Sequence, residues 1–111
     1  MDAHSVEVRT FVGVLRSELV FPGLRTLKER RGCLVSLLDR LRGIGMSAAQ
    51  VGPADFVRRA WVSACCASGS DATVRRMLER AAAILDSPVW ELASLETDMF
   101  EAGDPVIGGD E

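Results

Sequence analysis

Apolar residues recur three or four positions apart along most of this 111-residue chain, whereas alternating apolar and polar positions are scarce. A period near 3.6 residues places apolar side chains on one face of a helix, so the spacing predicts an all-α fold. A chain of this length buries a single core. We therefore expect a compact bundle of five to six short helices in residues 1–96, followed by an acidic, Gly/Pro-containing tail or linker in residues 97–111.

Capping residues indicate where the predicted helices begin. Thr26 and Glu29 have the spacing of a capping box, and they precede a leucine-rich segment that ends at Gly43. Ser70 stands at the N-cap position of a second periodic segment, over 71–86. Further helices are predicted from Ser5 to the Phe-Pro-Gly at 21–23, over residues 53–68, and from Ser87 to Leu95.

The two tryptophans receive different predictions. Trp61 lies on the apolar stripe of the segment over 53–68, so we expect it in the core. Trp90 begins the last predicted helix, where a partly exposed indole would be a candidate anchor for a partner protein.

The charges are divided along the chain. From Arg9 to Arg80 there are thirteen basic and six acidic residues, a net charge of +7, whereas 81–111 contain eight acids and no base. Unlike surfaces on identical subunits meet head to tail, and electrostatic complementarity sets their register. The candidate basic side is Arg30, Arg31, Arg58, Arg59, Arg75 and Arg76, and the candidate acidic side is Asp86, Glu91, Glu96, Asp98 and Glu101. The alternative is that these residues are solvated surface with intramolecular pairs.

The segment GIGMSAAQVG, residues 43–52, resembles the glycine motif of the peptide deformylases, which are metal-dependent amidases. Those enzymes need two histidines and a downstream cysteine, whereas this chain has only His4, and Cys33 lies upstream. The chain also lacks a nucleophile and base triad. We therefore interpret the glycines as a loop between two helices, with Ser47 and Gln50 capping one turn. We expect no catalytic site, no cofactor and no metal.

Cysteine usage and hydropathy indicate a cytosolic protein. The chain has three cysteines, Cys33, Cys65 and Cys66, an odd number that favours reduced thiols over disulfides. At least one of the adjacent pair is expected to be buried in a helix. A redox-active vicinal pair is the alternative. No apolar run approaches the roughly 20 residues that span a bilayer, and the N-terminus lacks the basic start of a signal peptide.

DNA binding is the alternative function that we weigh against protein binding. The predicted helix over 53–68, the Ser-Gly-Ser break and the helix with Arg75, Arg76 and Arg80 have the order of a helix-turn-helix. The net charge of −3 and the acidic last third oppose binding to phosphate. Nucleic acid is therefore the less favoured partner.

A family resemblance is carried by Leu15 and Leu19, by ERRGCLVSLLDRL, by DFVRRAWVSACCASG before a Ser/Gly break, and by ATVRRMLERAAAILD with PVWELASL. With these features the segment from Val14 to about Leu95 resembles the bacterial effector-associated domains, also described as bacterial death-like domains. The resemblance implies a six-helix, death-fold-like bundle. It also implies a non-enzymatic adaptor of bacterial conflict and immunity systems, which binds a second copy or a related domain and is fused to, or recruits, an effector.

Overall fold

A computed structural model describes residues 6–103 and 106–108 and shows an α+β protein. In chain order, its elements are β1 (Val6–Val8), β2 (Phe11–Val20), α1 (Leu27–Gly43), β3 (Ser47–Val51), β4 (Arg59–Ser68), α2 (Asp71–Leu85), β5 (Glu91–Glu101) and β6 (Val106–Gly108). The prediction of an all-α bundle of five to six helices is therefore wrong, and so is the death-fold-like architecture that went with it.

Strands β2 to β5 form one antiparallel sheet in the order β3-β4-β2-β5. Each helix connects two strands that are not neighbours: α1 joins β2 to β3 around β4, and α2 joins β4 to β5 around β2. The chain thus contains two strand–helix–strand units, and each unit has one strand of the other unit between its own two strands. This is the ferredoxin-like arrangement. Beyond the sheet, β1 pairs with β6 as a short ribbon that continues the pair of β2 and β5.

Three of the predicted helices are in fact strands β2, β4 and β5. In β2 and β4 the helical spacing was misleading because apolar side chains occupy both faces of these strands. In β2 the buried positions alternate, yet Val12 and Val14 stand between them on the opposite face. β4, with the sequence RAWVSACCAS, is apolar or small at almost every position. Where both faces are apolar, strand alternation disappears from the sequence and helical spacing fits by default. Ser5, the expected cap of the first helix, lies outside the described residues.

The two helices predicted from clear capping residues are confirmed. Thr26 is the N-cap of α1, and its side-chain oxygen accepts a hydrogen bond from the Glu29 N–H at 3.1 Å. Ser70 caps α2 in the same way, at 3.3 Å. The end of α1 differs from expectation, because the glycine with positive φ is Gly45, at 95°, and not Gly43. Caps are predictable because their partners lie within one turn of the chain.

Both helices pack on one face of the sheet and enclose the core. Its largest fully buried side chains are Leu15, Leu19, Phe21, Leu37, Leu41, Val62, Val74 and Leu85. Gly13 allows α2 to approach β2 closely, since a Cβ there would lie 2.6 Å from Val74 Cγ1. At the end of the core Trp90 packs edge-on against Phe21, with ring centroids 6.0 Å apart, and its Nε1 donates to the Leu85 carbonyl oxygen at 2.9 Å.

The opposite face of the sheet, which we call the open face, is not covered by any helix or strand of the described residues. Its side chains alternate with those that face the helices. They are Val12, Val14, Arg16, Glu18, Val20, Ser47, Ala49, Val51, Arg59, Trp61, Ser63, Cys65, Ala67, Ser94, Glu96, Asp98 and Phe100.

Part of the predicted tail belongs to the sheet. Residues 97–101 are the second half of β5 and pair with β2, so the expected division between residues 96 and 97 falls inside a strand. Of the rest, residues 104, 105 and 109–111 lie outside the described residues.

Candidate functional site

An aromatic cluster around Trp61 marks one end of the open face. Trp61 packs edge-on against Phe56, with ring centroids 5.8 Å apart. The Arg59 guanidinium lies 5.1 Å from the centroid of the Trp61 ring and pairs with the Glu18 carboxylate on β2. Gly52 brings the adjoining loop against the same ring, because its φ is 70° and a Cβ there would lie 3.3 Å from the indole. The indole is therefore held in one orientation while it stays partly exposed.

A shallow depression of about 320 Å³ lies beside this cluster. Its walls include Val51, Pro53, Trp61, Ser63, Arg16 and Glu96. Arg16 and Glu96 pair with each other across β2 and β5. Since the charges of the depression are bonded within the chain, it offers a surface for packing more than a site for an ionic ligand.

Small side chains occupy most of the part of the open face that β3 and the second half of β4 form. Ser63 lies between Ala49 and Arg16 in the register of the sheet, and Cys65 lies between Ser47 and Val14. Small side chains at neighbouring positions leave a smooth surface on which a second sheet can pack at about 10 Å. Apolar side chains extend this surface at its rim, where Val51 is 42% and Phe100 is 47% exposed.

Strand β5 forms an acidic edge of the sheet. Its charged residues are Glu91, Glu96, Asp98 and Glu101. Glu101 accepts two hydrogen bonds from the Arg9 guanidinium, at 2.8 and 2.9 Å, and these bonds hold the pKa of its carboxyl below the usual value. Glu91 and Asp98 have no ion-pair partner within the described part of the chain.

A groove runs between β5 and α2 on the helix side of the sheet. Leu15 on β2 is fully buried under the helices, whereas its register partner on β5, Thr97, is exposed. Leu95 is 36% exposed on the same side. The groove holds about 390 Å³. Its walls combine apolar residues with polar and charged ones: Leu78, Ala82, Met99, Thr97, Arg75, Glu79 and Asp98. The edge strand therefore has an uncovered groove of mixed lining along its helix side.

A family model described as a protein of unknown function, DUF503, matches residues 12–99. The chain belongs to the DUF503 family. The match begins in β2 and ends in β5, so it contains both helices and nearly the whole four-stranded sheet of the DUF503 fold. No match was found among curated proteins.

The DUF503 fold brings most of the predicted acidic side together. Glu91, Glu96, Asp98 and Glu101 share β5, while Asp86 stands at the C-cap of α2. The predicted basic side is spread over three parts of the fold. Arg31 is exposed on α1, and Arg75 and Arg76 are exposed on α2. Arg58 directly precedes β4, and Arg59 is its first residue. That the two sides meet in neighbouring copies stays a prediction.

Arg30 is not a surface residue, which corrects its place on the predicted basic side. It is 4% exposed, and its guanidinium donates to the backbone oxygens of Arg59, Ala54 and Pro53 at 3.0, 3.3 and 3.5 Å. Burial lowers the pKa of Arg30, an effect that nearby Asp55 opposes. Arg30 therefore fastens α1 to the loop before β4. No local pattern could predict this role, because the acceptors lie 23 to 29 positions away in the chain.

The predictions for the two tryptophans are reversed in the structure: Trp90 lies in the core and Trp61 lies on the surface. Trp90 is 8% exposed and bonded into the core, so it does not serve as an anchor. Trp61, expected in the core, lies on the open face. Neighbouring residues carried a signal that was missed: in β4, small residues alternate from Ala60 to Ala64 on one face with Trp61 and Ser63 on the other.

The adjacent cysteines lie in a strand and not in a helix. Cys65 is exposed on the open face, whereas Cys66 is buried on the helix side, where desolvation raises the pKa of its thiol. Side chains at successive positions of a strand point to opposite faces. The two thiols therefore belong to different surfaces, and Cys33 is half-buried on α1.

The segment GIGMSAAQVG contains the end of α1, a turn at Gly45 and strand β3. The helical turn predicted at Ser47 and Gln50 is wrong, because both residues belong to that strand. The helix-turn-helix arrangement is wrong as well, because its first helix is strand β4.

Within the described residues there is no group of three or more His, Cys, Asp or Glu side chains that could hold a metal ion. No helix in this part of the chain is long and apolar enough to cross a membrane.

Proposed function

We propose that this DUF503 chain is a non-enzymatic protein-interaction domain that forms a two-fold dimer through the open face of its sheet. The observation that carries the proposal is the open face itself, which is four strands wide and has no packing partner among the described residues. A sheet that faces water on one side normally shows polar residues there. Here Val12, Val14 and Trp61 occupy that side, and aromatic residues of this kind are enriched in protein interfaces.

The area of the open face fits a specific dimer. Three strands of about ten residues and the five-residue β3, about 4.8 Å apart and rising about 3.3 Å per residue, give roughly 550 Å² per copy as an upper figure. Two copies would bury at most about 1,100 Å², just above the roughly 1,000 Å² that a biological interface is expected to reach.

The charges of the open face permit close contact between two copies. Arg16 pairs with Glu96 and Arg59 pairs with Glu18, both within one chain. A charge that keeps its partner on docking costs less to remove from water than an isolated charge. Since Ser63 and Ala49, the next residues across the sheet from Arg16, are small, a second sheet can approach without separating Arg16 from Glu96.

The acids of β5 favour one of two dimer symmetries. A two-fold axis parallel to the strands stacks β5 of one copy on β3 of the other, and β2 on β4. An axis perpendicular to the strands stacks β5 on β5, which opposes Asp98 and Glu96 with like charges. Because β3 has no charged residue, we expect the axis parallel to the strands.

Nucleic acid suits the open face less well than a second sheet does. Single strands bind where exposed aromatic rings stack on bases and free basic groups follow the backbone. Here the guanidinium groups of Arg16 and Arg59 are engaged by carboxylates, and Asp98 lies on the same face. The acidic β5 edge would repel phosphate.

The molar mass in solution tests the dimer. Light scattering on a sizing column is expected to give twice the chain mass for the wild type and the monomer mass for Val14→Lys, which places a charge in the middle of the open face. Val35→Lys is the matched control, because Val35 is exposed on α1, away from the open face, and should leave the dimer intact. A monomeric wild type at millimolar concentration would refute the proposal.

The charge pattern gives a second arm to the same experiment. The double variant Arg75→Glu, Arg76→Glu lies on α2, behind the sheet, and should not change the mass if copies meet through the open face. Loss of the dimer in this variant and at high salt would instead support contact between the basic and acidic sides.

Two further predictions are part of this proposal. A cytosolic location is expected, and it is tested by fractionating cells that produce the protein. Recruitment of an effector protein is expected from the family resemblance, and the sequence that follows Glu111 in the gene, where there is one, tests it directly.

A further inference from the structure

We propose that the outer edge of β5 binds an extended basic peptide from a partner protein, which adds to the sheet as a fifth strand. Edge strands present a row of unpaired backbone groups, and partner proteins use such rows for β-augmentation. β5 is the longest strand of the described residues and has a neighbour on one side only, β2. The outward backbone groups of this edge and the groove on its helix side do not belong to the open face, although the side chains of Glu96 and Asp98 do, and the inference does not rest on the proposed dimer.

The hydrogen bonds of the sheet show which groups of β5 face outward. The Ala102 N–H donates to the Thr10 carbonyl oxygen at 2.8 Å, which makes these two residues a hydrogen-bonded pair in register with β2. Hydrogen-bonded and non-bonded pairs alternate along an antiparallel ladder. Asp98 therefore directs its backbone groups at β2, whereas the N–H and C=O groups of Thr97 and Met99 point away from the sheet.

The groove beside β5 indicates the side chains of the incoming strand. Leu95, Thr97 and Met99 line the helix side of the edge and are not roofed by α2, whose Leu78 and Ala82 form the far wall of the groove. Alternate side chains of a fifth strand would enter this groove. Apolar side chains of moderate size, such as valine, fit a groove of about 390 Å³ shared by several residues.

Charge determines what binds at this edge. The other side chains of the incoming strand would lie beside Asp98, which has no ion-pair partner among the described residues, and beside Glu96, which pairs with Arg16. At the two ends of β5 stand Glu91, which is unpaired among the described residues, and Glu101, which pairs with Arg9. A second copy of β5 would fit poorly, because an antiparallel pair centred on Glu96 places Glu91 opposite Glu101. Like charges directly opposite each other destabilise a sheet, whereas Lys or Arg at these positions stabilise it. The acids thus act against self-pairing and favour a basic partner.

A fluorescently labelled nine-residue peptide of alternating Lys and Val is the probe. Its fluorescence anisotropy is measured against the wild-type protein at low and high salt. Two peptides serve as controls: one with the same composition arranged as a Lys block and a Val block, and one of alternating Glu and Val. We expect the alternating basic peptide to bind at least about tenfold more tightly than either control, and to bind more weakly at high salt.

Variants of β5 separate strand addition from general charge attraction. Thr97→Pro removes one outward N–H without touching the bonds to β2, and it should weaken binding at least about tenfold. Thr97→Val keeps the N–H and is the matched control, expected within about twofold of the wild type. Asp98→Lys should weaken binding about three- to tenfold. Ala49→Lys, which places a charge on the open face in β3, away from β5, should bind like the wild type.

Amide hydrogen exchange, measured on the wild-type protein, tests strand addition without any variant, and it therefore applies even if Thr97→Pro fails to fold. Bound peptide should slow exchange at the outward amides of Thr97 and Met99, and leave the already bonded amide of Asp98 little changed. Equal binding of the basic block peptide, no binding of any peptide at millimolar protein, or unchanged exchange at Thr97 and Met99 would each overturn the inference.

Discussion

Replacing Gly13 with alanine tests how closely α2 packs on β2. The φ of Gly13 is not positive, so the backbone accepts alanine without strain. The new Cβ would lie 2.6 Å from Val74 Cγ1 and 3.1 Å from two atoms of Leu78. Carbon atoms pack best at about 3.5 to 4.0 Å, so the overlap with Val74 is roughly 1 Å.

The expected magnitude follows from two opposing effects. Overpacking a well-packed core typically costs about 1–3 kcal/mol. Replacing glycine with alanine also reduces the entropy of the unfolded chain, which stabilises the protein by about 0.4–1 kcal/mol. We therefore expect Gly13→Ala to lower the free energy of unfolding by about 1–2 kcal/mol, a fall in Tm of roughly 4–8 °C for a domain of this size.

Equilibrium denaturation in urea, followed by circular dichroism, measures this change. Gly32→Ala is the matched control, because a Cβ at this exposed helical glycine meets nothing within 4 Å and should stabilise the protein by about 0.5–1 kcal/mol. Val74→Ala alone removes buried methyl groups and should cost about 2–3 kcal/mol. The double variant should cost less than the sum of the two single changes by about 1 kcal/mol or more. Strict additivity, or a Gly13→Ala variant as stable as Gly32→Ala, would refute the close contact.

Three further predictions concern contacts that fix the fold. Arg30→Met should lower the free energy of unfolding, measured in urea titrations, by about 2–3 kcal/mol, because three carbonyl oxygens lose their hydrogen-bond donor. Arg30→Lys should not recover this stability, because an ammonium group cannot reproduce the geometry of the guanidinium donors. Trp90→Phe removes the hydrogen bond to the Leu85 carbonyl and should cost about 1–2 kcal/mol, measured by thermal melting, whereas Trp61→Phe at the surface should cost less. Glu101 should titrate below its usual pKa of 4.5 in carboxyl NMR spectra, and Arg9→Ala should move the midpoint back up. Because the folded pKa is lowered, the pair stabilises the fold above the unfolded pKa and loses this effect as the pH falls through the folded pKa. A Glu101 midpoint unchanged by Arg9→Ala would contradict the pairing.

The local features of the fold could be predicted from the sequence because they depend on neighbouring residues. Thr26 and Ser70 cap α1 and α2 as expected, since a cap and the N–H that it bonds are three residues apart. The gathering of acids in 91–101 is also visible in the sequence, and the fold places them on a single strand.

The candidate sites could not be predicted in this way, because they depend on contacts between distant residues. Trp61 fitted a helical stripe, yet it lies on the open face because β4 pairs with β2, more than 40 positions away. In the sequence, Arg30 resembles the surface arginines around it, because its hydrogen-bond acceptors lie in the β3–β4 loop and at the start of β4. The free edge of β5 follows from the order of the strands, which no local pattern contains.

The sequence by itself determined the two helices, their caps and the division of charge, because each of these is set by residues close together in the chain. Only the tertiary structure decided that the remaining segments are strands, and which side of the sheet each residue faces. In β2 the valines favour a strand whereas Leu15 and Leu19 also fit a helical spacing, and the alanines and serines of β4 do not favour a strand, so local preference does not decide either segment. These segments become strands because their backbone groups form hydrogen bonds with distant strands and because one of their faces is buried under α2. Both effects require the whole domain to be folded.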